Sequence, residues 1–512
     1  MVVARMAGRF SFPREQLRAR TVRGALVTGV FLIAIDALTV AQGLVVTRLL
    51  GPELIGLYGI VTVTTMTVIA LKRVGIDEAY VQQEAEGEEE FQRAFTLELG
   101  TSVAFALVLC ALAPVVAAVY GDSRLLGLML ATAYLPLAFA LLAPLWVFFR
   151  RMEYGRQRAL QAIQPLVSFA VTVPLAASDF GVYSLVVGPL AGYVVAVVVT
   201  VAVSPYRLAL RWDGTAARRY LRFSAWILVA TVATLVVQQG QVLAFDASEG
   251  LRWVGYLTLA VTVTRYVDRA DQIVTATIYP AIAAIQGRTR TLEELFVKSN
   301  RATLLWVLPF CAGLVLFAGD LVSFVVGESW RDAEVLIQGL AVAGLLQHLG
   351  FNWFSFYRAH GQTRPPALEA VVAGAAFLVL AVPGLVVWGA TGFVVGRIAS
   401  VLIGLVVRAR YVRRMLPGVT LGALVAPAVP PVVVAGAATL AVRVVLWGGE
   451  RPAWQAAVEV AVFAAVFCAL ALPRERALLA ELRGAVGGGE GGAGERDRDE
   501  RERGHLPVPV DR

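Results

Sequence analysis

The sequence predicts an all-α polytopic membrane protein of about 14 transmembrane helices. They form two parallel-repeat six-helix bundles followed by two extra C-terminal helices. Three observations carry this. The 512 residues are 58% hydrophobic and only 16% charged, with mean hydropathy +0.71, whereas soluble chains carry about a quarter charged residues. Apolar runs of 17 to 26 residues recur along the chain, and about 20 such residues cross a bilayer as a helix. Lipid leaves no backbone group unsatisfied, so a run of this length is a helix; a barrel strand needs only about 10 residues. Finally, short motifs return in the same order at offsets of 199 to 208 residues.

The first seven spans are expected near 24–46, 54–71, 94–119, 125–149, 159–177, 181–203 and 223–245. The second seven lie near 253–280, 301–319, 333–356, 367–388, 390–407, 421–446 and 454–472. An even number puts both chain ends on one side. Of the 45 Lys and Arg residues, 38 fall in tails and loops of one face and 7 on the other: Arg48, Arg124, Arg252, Arg331, Arg397, Arg443 and Arg451. The positive-inside rule then places both termini in the cytoplasm of a cell whose inner (cytoplasmic) membrane holds the chain. The net charge of +8 reflects loops facing anionic lipid, not a nucleic-acid partner.

Residues 1–23 form a basic cytoplasmic tail, and the first span reads as a retained signal-anchor. Residues 474–512, Gly-rich from Gly484 and then charge-dense, read as a disordered cytoplasmic tail. Cys110, Cys311 and Cys468 sit inside apolar spans with no disulfide or metal spacing, so no metal or cofactor is expected.

The repeat is most legible at outer turns. "FGVYSLVVG" (180–188) returns as "WGATGFVVG" (388–396), matching Gly181 with Gly389 and Gly188 with Gly396. "YGDSRL" (120–125) returns as "VGESWR" (326–331), and "FQRAFTL" (91–97) as "KSNRATL" (298–304). "WVFFRRMEYGRQRAL" (146–160) returns as "WFSFYRAHGQTRPPAL" (353–368), pairing Gly155 with Gly361 and Arg158 with Arg364. A looser echo pairs "LGPELIGLYGI" (50–60) with "GLRWVGYLTLA" (250–260). One match means little, because Gly and charges punctuate membrane loops generally; five in one order indicate duplication. The divisions are then a bundle at 24–203, a cytoplasmic linker at 204–222, a second bundle at 223–416 and two further helices within 417–473. Six is even, so both halves enter in the same orientation and are related by an axis along the membrane normal, with a substrate site between them.

At these motifs the chain resembles the polysaccharide flippases of the multidrug/oligosaccharidyl-lipid/polysaccharide exporter superfamily. "RLLGPELIGLYGI", "YGDSRL", "WVFFRRMEYGRQRAL" and "FGVYSLVVG" carry the resemblance, which covers roughly residues 24–416. It implies two six-helix bundles in a V, alternating access, and export of a glycan on a polyprenyl-pyrophosphate lipid. Some relatives, the lipid II flippases, have two additional helices forming a groove for the lipid tail; spans 421–446 and 454–472 correspond to these by position.

Ionisable residues inside spans mark a site by default. Asp36 lies near mid-depth of the first span, with Gln42 and Arg48 following at spacings of six. The seventh span carries Gln238, Gln239 and Gln241, with Asp246 at its outer end. The richest cluster is "RYVDRADQ" in the eighth: Arg265, Asp268, Arg269, Asp271 and Gln272. At i, i+3, i+4 and i+7, Arg265, Asp268, Arg269 and Gln272 share one helical face. The functional reading is a diphosphate and sugar site, because Arg grips phosphate bidentately and keeps its charge at depth. The glutamines suit sugar hydroxyls, and the acids hold the arginines or a coupling ion. The structural reading is that Arg265–Asp268 and Arg269–Asp271 only neutralise one another at the cytoplasmic lip. His348 is read as packing within its span and His360 as sitting on an inner loop.

The sequence thus favours a non-enzymatic flippase of a polyprenyl-pyrophosphate-linked glycan, in contact with membrane lipids and working alongside a polysaccharide polymerase or glycosyltransferases. The first alternative is a drug or metabolite exporter of the same fold. A polytopic glycan polymerase or sugar transferase ranks lower, because the outer loops are short and hold no paired-acid or nucleophile–base arrangement.

Overall fold

The computed structural model describes residues 14–72, 76–82, 87–151, 153–214, 237–268, 271, 289–359, 364–447 and 452–476. Arg269, Gln272, His360, Gly361 and most of both tails lie outside these. The described residues are mostly helical, with a non-helical stretch at 204–213 and no strand, and eight helices are long and apolar enough to cross a membrane. "Outer" below means the face with few positive charges.

The first two spans run on as Arg14–Lys72, bent at Gly51 (φ 75°). Pro52 follows, at the first position of the new helix, where its missing N–H costs nothing. The third span is Glu88–Tyr120, the fifth Tyr154–Ala177 and the sixth Ser184–Ala202. The expected continuous fourth span is instead three short helices, Arg124–Thr132, Tyr134–Leu141 and Pro144–Arg150. Pro144 cannot donate to the preceding turn, so the helix restarts there. The tenth span breaks at the corresponding depth, between Ala333–Gln347 and Trp353–Ala359, where Gly350 has φ 68°. The ninth span lies in Thr289–Asp320, and the eleventh and twelfth run on as Arg364–Met415, bent at Trp388 and Gly389.

The paired motifs share backbone conformation. Gly181 and Gly389 have φ 61° and 60°, Gly121 and Gly327 have φ 67° and 115°, and Gly51 and Gly250 have φ 75° and 83°. Each pair occupies the left-handed region that side chains avoid, at the turn where a helix reverses or restarts. Gly188 lies against Thr172 of the preceding span, and Gly396 against the backbone of Ala381, so the same helix pair closes tightly in each half.

The two halves meet through a second glycine pair. A Cβ on Gly56 would stand 2.2 Å from the Leu251 carbonyl, and one on Gly255 would stand 2.0 Å from the Pro52 carbonyl. In the repeat register Pro52 pairs with Leu251 and Gly56 with Gly255. Residue 56 therefore touches 251 while 255 touches 52, the reciprocal pattern of a two-fold contact. The two helices run parallel, so the local axis runs along them.

The cores follow the same plan. Toward the outer face one buried cluster draws on both halves, from Val46, Leu57 and Leu128 to Tyr256, Trp330 and Phe393. Toward the inner face the core divides among the described residues. Ile76, Tyr80, Phe91 and Val147 form one cluster in the first half, and Phe296, Val307, Phe356 and Leu416 form another in the second. Among the described residues, then, the core is shared toward the outer face and divided toward the inner one.

Candidate functional site

The eighth span shows where the split begins. Leu251–Thr264 is helical, and Val254, Tyr256, Leu257 and Ala260 are buried against the other half. From Val261 onward exposure rises, and Arg265 is exposed. There the helix tightens into a 3-10 turn over Arg265–Val267, capped by the Asp268 N–H on the Arg265 carbonyl. In a 3-10 turn residues i and i+3 eclipse one another, so Arg265 and Asp268 stay on one side of the chain. A 3-10 stretch within a helix often marks a hinge or local strain. Arg265 also lies within electrostatic reach of the Tyr58 hydroxyl, across the cleft on the second span.

Asp268 has a partner that spacing did not reveal. Its Oδ1 lies 3.3 Å from Nε2 of His348, and His348 Nδ1 lies 2.8 Å from the Gly344 carbonyl. His348 is 4% exposed. A carbonyl only accepts, so Nδ1 carries a proton. A contact between Nε2 and the carboxylate then requires a second proton on one of the two. The broken tenth span thus ends in a proton-holding pair at the cleft.

The remaining candidates divide. Asp271, half-buried, follows Asp268 on the same strand of chain. Gln239 donates across the cleft to Thr67 Oγ1 at 2.8 Å, a bond between the two halves; Gln238 is exposed and Gln241 half-buried beside it. Asp36 is half-buried on the first span. Gln42 bonds within its own half, donating to Ser168 Oγ at 3.4 Å. Arg48 stands apart from the cluster: it donates to the carbonyls of Phe324 and Val325 at 3.0 and 3.2 Å, at the outer seam. Beside it, within the second half, Arg252 Nε donates to the Tyr256 hydroxyl at 2.6 Å and that hydroxyl donates to the Ser329 carbonyl at 3.0 Å.

The sequence matches the family described as "Polysaccharide biosynthesis protein" over residues 45–335. The chain belongs to this family. Among curated proteins, this polysaccharide biosynthesis family member is similar to the succinoglycan biosynthesis transport protein ExoT of Rhizobium meliloti (strain 1021). The two are 22% identical over 311 residues, 58% of this chain and 61% of that protein. The alignment therefore spans less than two thirds of that relative. The fold is similar to that of the lipid II flippase MurJ in an inward closed conformation, with TM-score 0.67 at 12% identity, covering 87% of this chain and 100% of that one. It is also similar to an inward-facing multidrug resistance MATE family transporter of the MOP superfamily, with TM-score 0.59 at 16% identity, covering 75% and 96%.

Proposed function

We propose that the chain is a flippase that moves a polyprenyl-pyrophosphate-linked oligosaccharide from the inner to the outer leaflet of the cytoplasmic membrane for cell-surface polysaccharide biosynthesis. The observation that carries this reading is the meeting of two features. The core is shared outside and divided inside, and the intramembrane charges Arg265, Asp268 and Asp271 begin where the division begins. A charged headgroup entering from the cytoplasm meets Arg265 at the apex of the cleft, and desolvation there strengthens a guanidinium–diphosphate contact. Halves 24–203 and 223–416 rock about the outer glycine seam, with 204–222 as linker, and alternating access follows from breaking that seam while closing the inner split. Both termini are cytoplasmic in this reading, and a polymerase or glycosyltransferases supply and consume the cargo. The family and the transport protein it resembles support the cargo class.

Mass spectrometry of polyprenyl-linked glycans tests it, comparing a deletion strain with strains complemented by wild type or by Arg265→Ala with Arg269→Ala. One lipid-linked oligosaccharide is expected to accumulate on deletion, to clear with wild type and to persist with the double variant. An unchanged lipid pool with new sensitivity to small cationic compounds would instead indicate an exporter of the same fold.

A further inference from the structure

A cavity of about 870 Å³ lies inside the first half, apart from the charges of the cleft. Its walls come from the second to sixth spans. It sits toward the inner face, because its lining includes Lys72 and Glu98, at the inner ends of the second and third spans, and Gln157, near the inner start of the fifth. Met66, also in its wall, precedes Thr67, which accepts the bond from Gln239. The cavity therefore adjoins the central cleft.

The lining chemistry is specific. Gln157, Gln161 and Gln164 stand at i, i+4 and i+7, on one face of the fifth span, and all three line the cavity. Trp146, Phe139 and Tyr193 supply aromatic surface opposite them, with the Phe139 and Tyr193 rings edge-on at 5.7 Å. The charges cancel: Lys72 and Arg158 face Glu98 and Asp77, and Lys72 Nζ is 2.6 Å from Glu98 Oε1. Amides that both donate and accept suit hydroxyl groups. The negative face of an aromatic ring suits the C–H face of a pyranose. The volume is at the upper end of small-molecule pockets, about 300–1,000 Å³.

Two observations argue against packing as the reason for these amides. Gln157 is only 7% exposed, yet its Oε1 has no hydrogen-bond partner. A buried acceptor without a donor is costly to keep, and a ligand hydroxyl would satisfy it. In addition, the repeat shows what the frame alone requires. In the register that pairs Gly181 with Gly389 and Gly188 with Gly396, Gln161 falls on Glu369 and Gln164 on Val372. The duplicated helix folds without an amide at either place.

We infer that this pocket binds uncharged sugar residues of the cargo, separately from the diphosphate-facing charges of the cleft. The assignment of those sugars to a cargo rests on the flippase reading; the binding itself does not. Saturation-transfer NMR on the full chain in lipid nanodiscs tests it, with free glucose, galactose, N-acetylglucosamine and rhamnose as probes. Wild type is expected to transfer saturation to at least one of them, and Gln157→Leu with Gln161→Leu to reduce that transfer about tenfold, as loss of two hydrogen bonds implies. Transfer to none of the four, or equal transfer in the variant, overturns the pocket. Leucine nearly conserves the glutamine volume; should the double variant fail to fold, Gln164→Leu and Trp146→Leu separately give the same comparison. A deletion strain with an unchanged lipid-linked pool would sink the flippase reading while leaving this result standing.

Discussion

The two halves share a frame and differ in what fills it. Both place left-handed glycines at the same turns, and both break one span at the same depth. The first half keeps an amide- and aromatic-lined cavity. The second has Glu369 and Val372 where the first has Gln161 and Gln164, and adds two helices fastened by buried ion pairs. Arg443 lies 3.0 Å from Glu459 and 3.5 Å from Asp320, joining both added helices to the ninth span, and Arg301 lies 2.6 Å from Glu475. Duplication thus preserved the backbone devices that movement needs and freed the side chains to specialise. On the proposed reading, one half recognises cargo and the other gains mechanical support.

The sharpest way to break this comparison is at the element both halves share. Gly255→Leu should abolish export, because the Pro52 carbonyl 2.0 Å from the new Cβ is backbone and cannot yield. Gly56→Leu should do the same, since its Cβ would stand 2.2 Å from the Leu251 carbonyl. Accumulation of lipid-linked glycan to the deletion level, with normal membrane insertion, is the readout for both. Unequal effects of the two would remove the reciprocal seam from the account.

Next in size is the support of the second half. Glu459 is fully buried, so Arg443→Ala takes a charged partner from a buried carboxylate and should cost up to about 3–5 kcal/mol in stability. Thermal unfolding of the purified protein measures it. Replacing both partners, Arg443→Met with Glu459→Met, should recover most of the loss, because the penalty comes from the orphaned charge rather than from the pair. At the outer seam the effect is smaller. Arg48→Ala removes two charged-donor hydrogen bonds to the carbonyls of Phe324 and Val325, roughly 1.5–3 kcal/mol. Labelling of a cysteine at position 58 by an impermeant maleimide from outside should rise accordingly; unchanged labelling would mean that the glycine contact seals the seam by itself.

How much of this was legible in the sequence follows from which interactions are local. Apolar runs and glycine turns are local, so the fold class and the paired Gly181 and Gly389 were readable. The clustering of Arg265 and Asp268 was readable for the same reason, although the helix expected there becomes a 3-10 turn. His348 was read as a packing residue because its partner is 80 residues away in sequence and meets it only through the broken tenth span. Arg48 was grouped with the cavity by its spacing from Asp36, whereas its partners are carbonyls, which carry no sequence signal. The glutamines of the fifth span did leave a signal that spacing within one half does not reveal. They stand out only when each half is read against the other.

The smallest effects sharpen that last point. Ala367→Gln with Ala370→Gln adds two amides to the corresponding helix of the second half, at two exposed positions. Exposed substitutions usually stay within about 0.5 kcal/mol, so stability and export should both hold. Gln161→Ala with Gln164→Ala should also leave thermal unfolding nearly unchanged, since alanine is the strongest helix former. It should nevertheless slow clearance of the lipid-linked glycan, because these amides line a cavity. A slowing from both exchanges would mean that the amides act through the helix itself. A slowing from the first-half exchange alone would locate their role in the pocket, and would show that the asymmetry between the halves lies in recognition and not in folding.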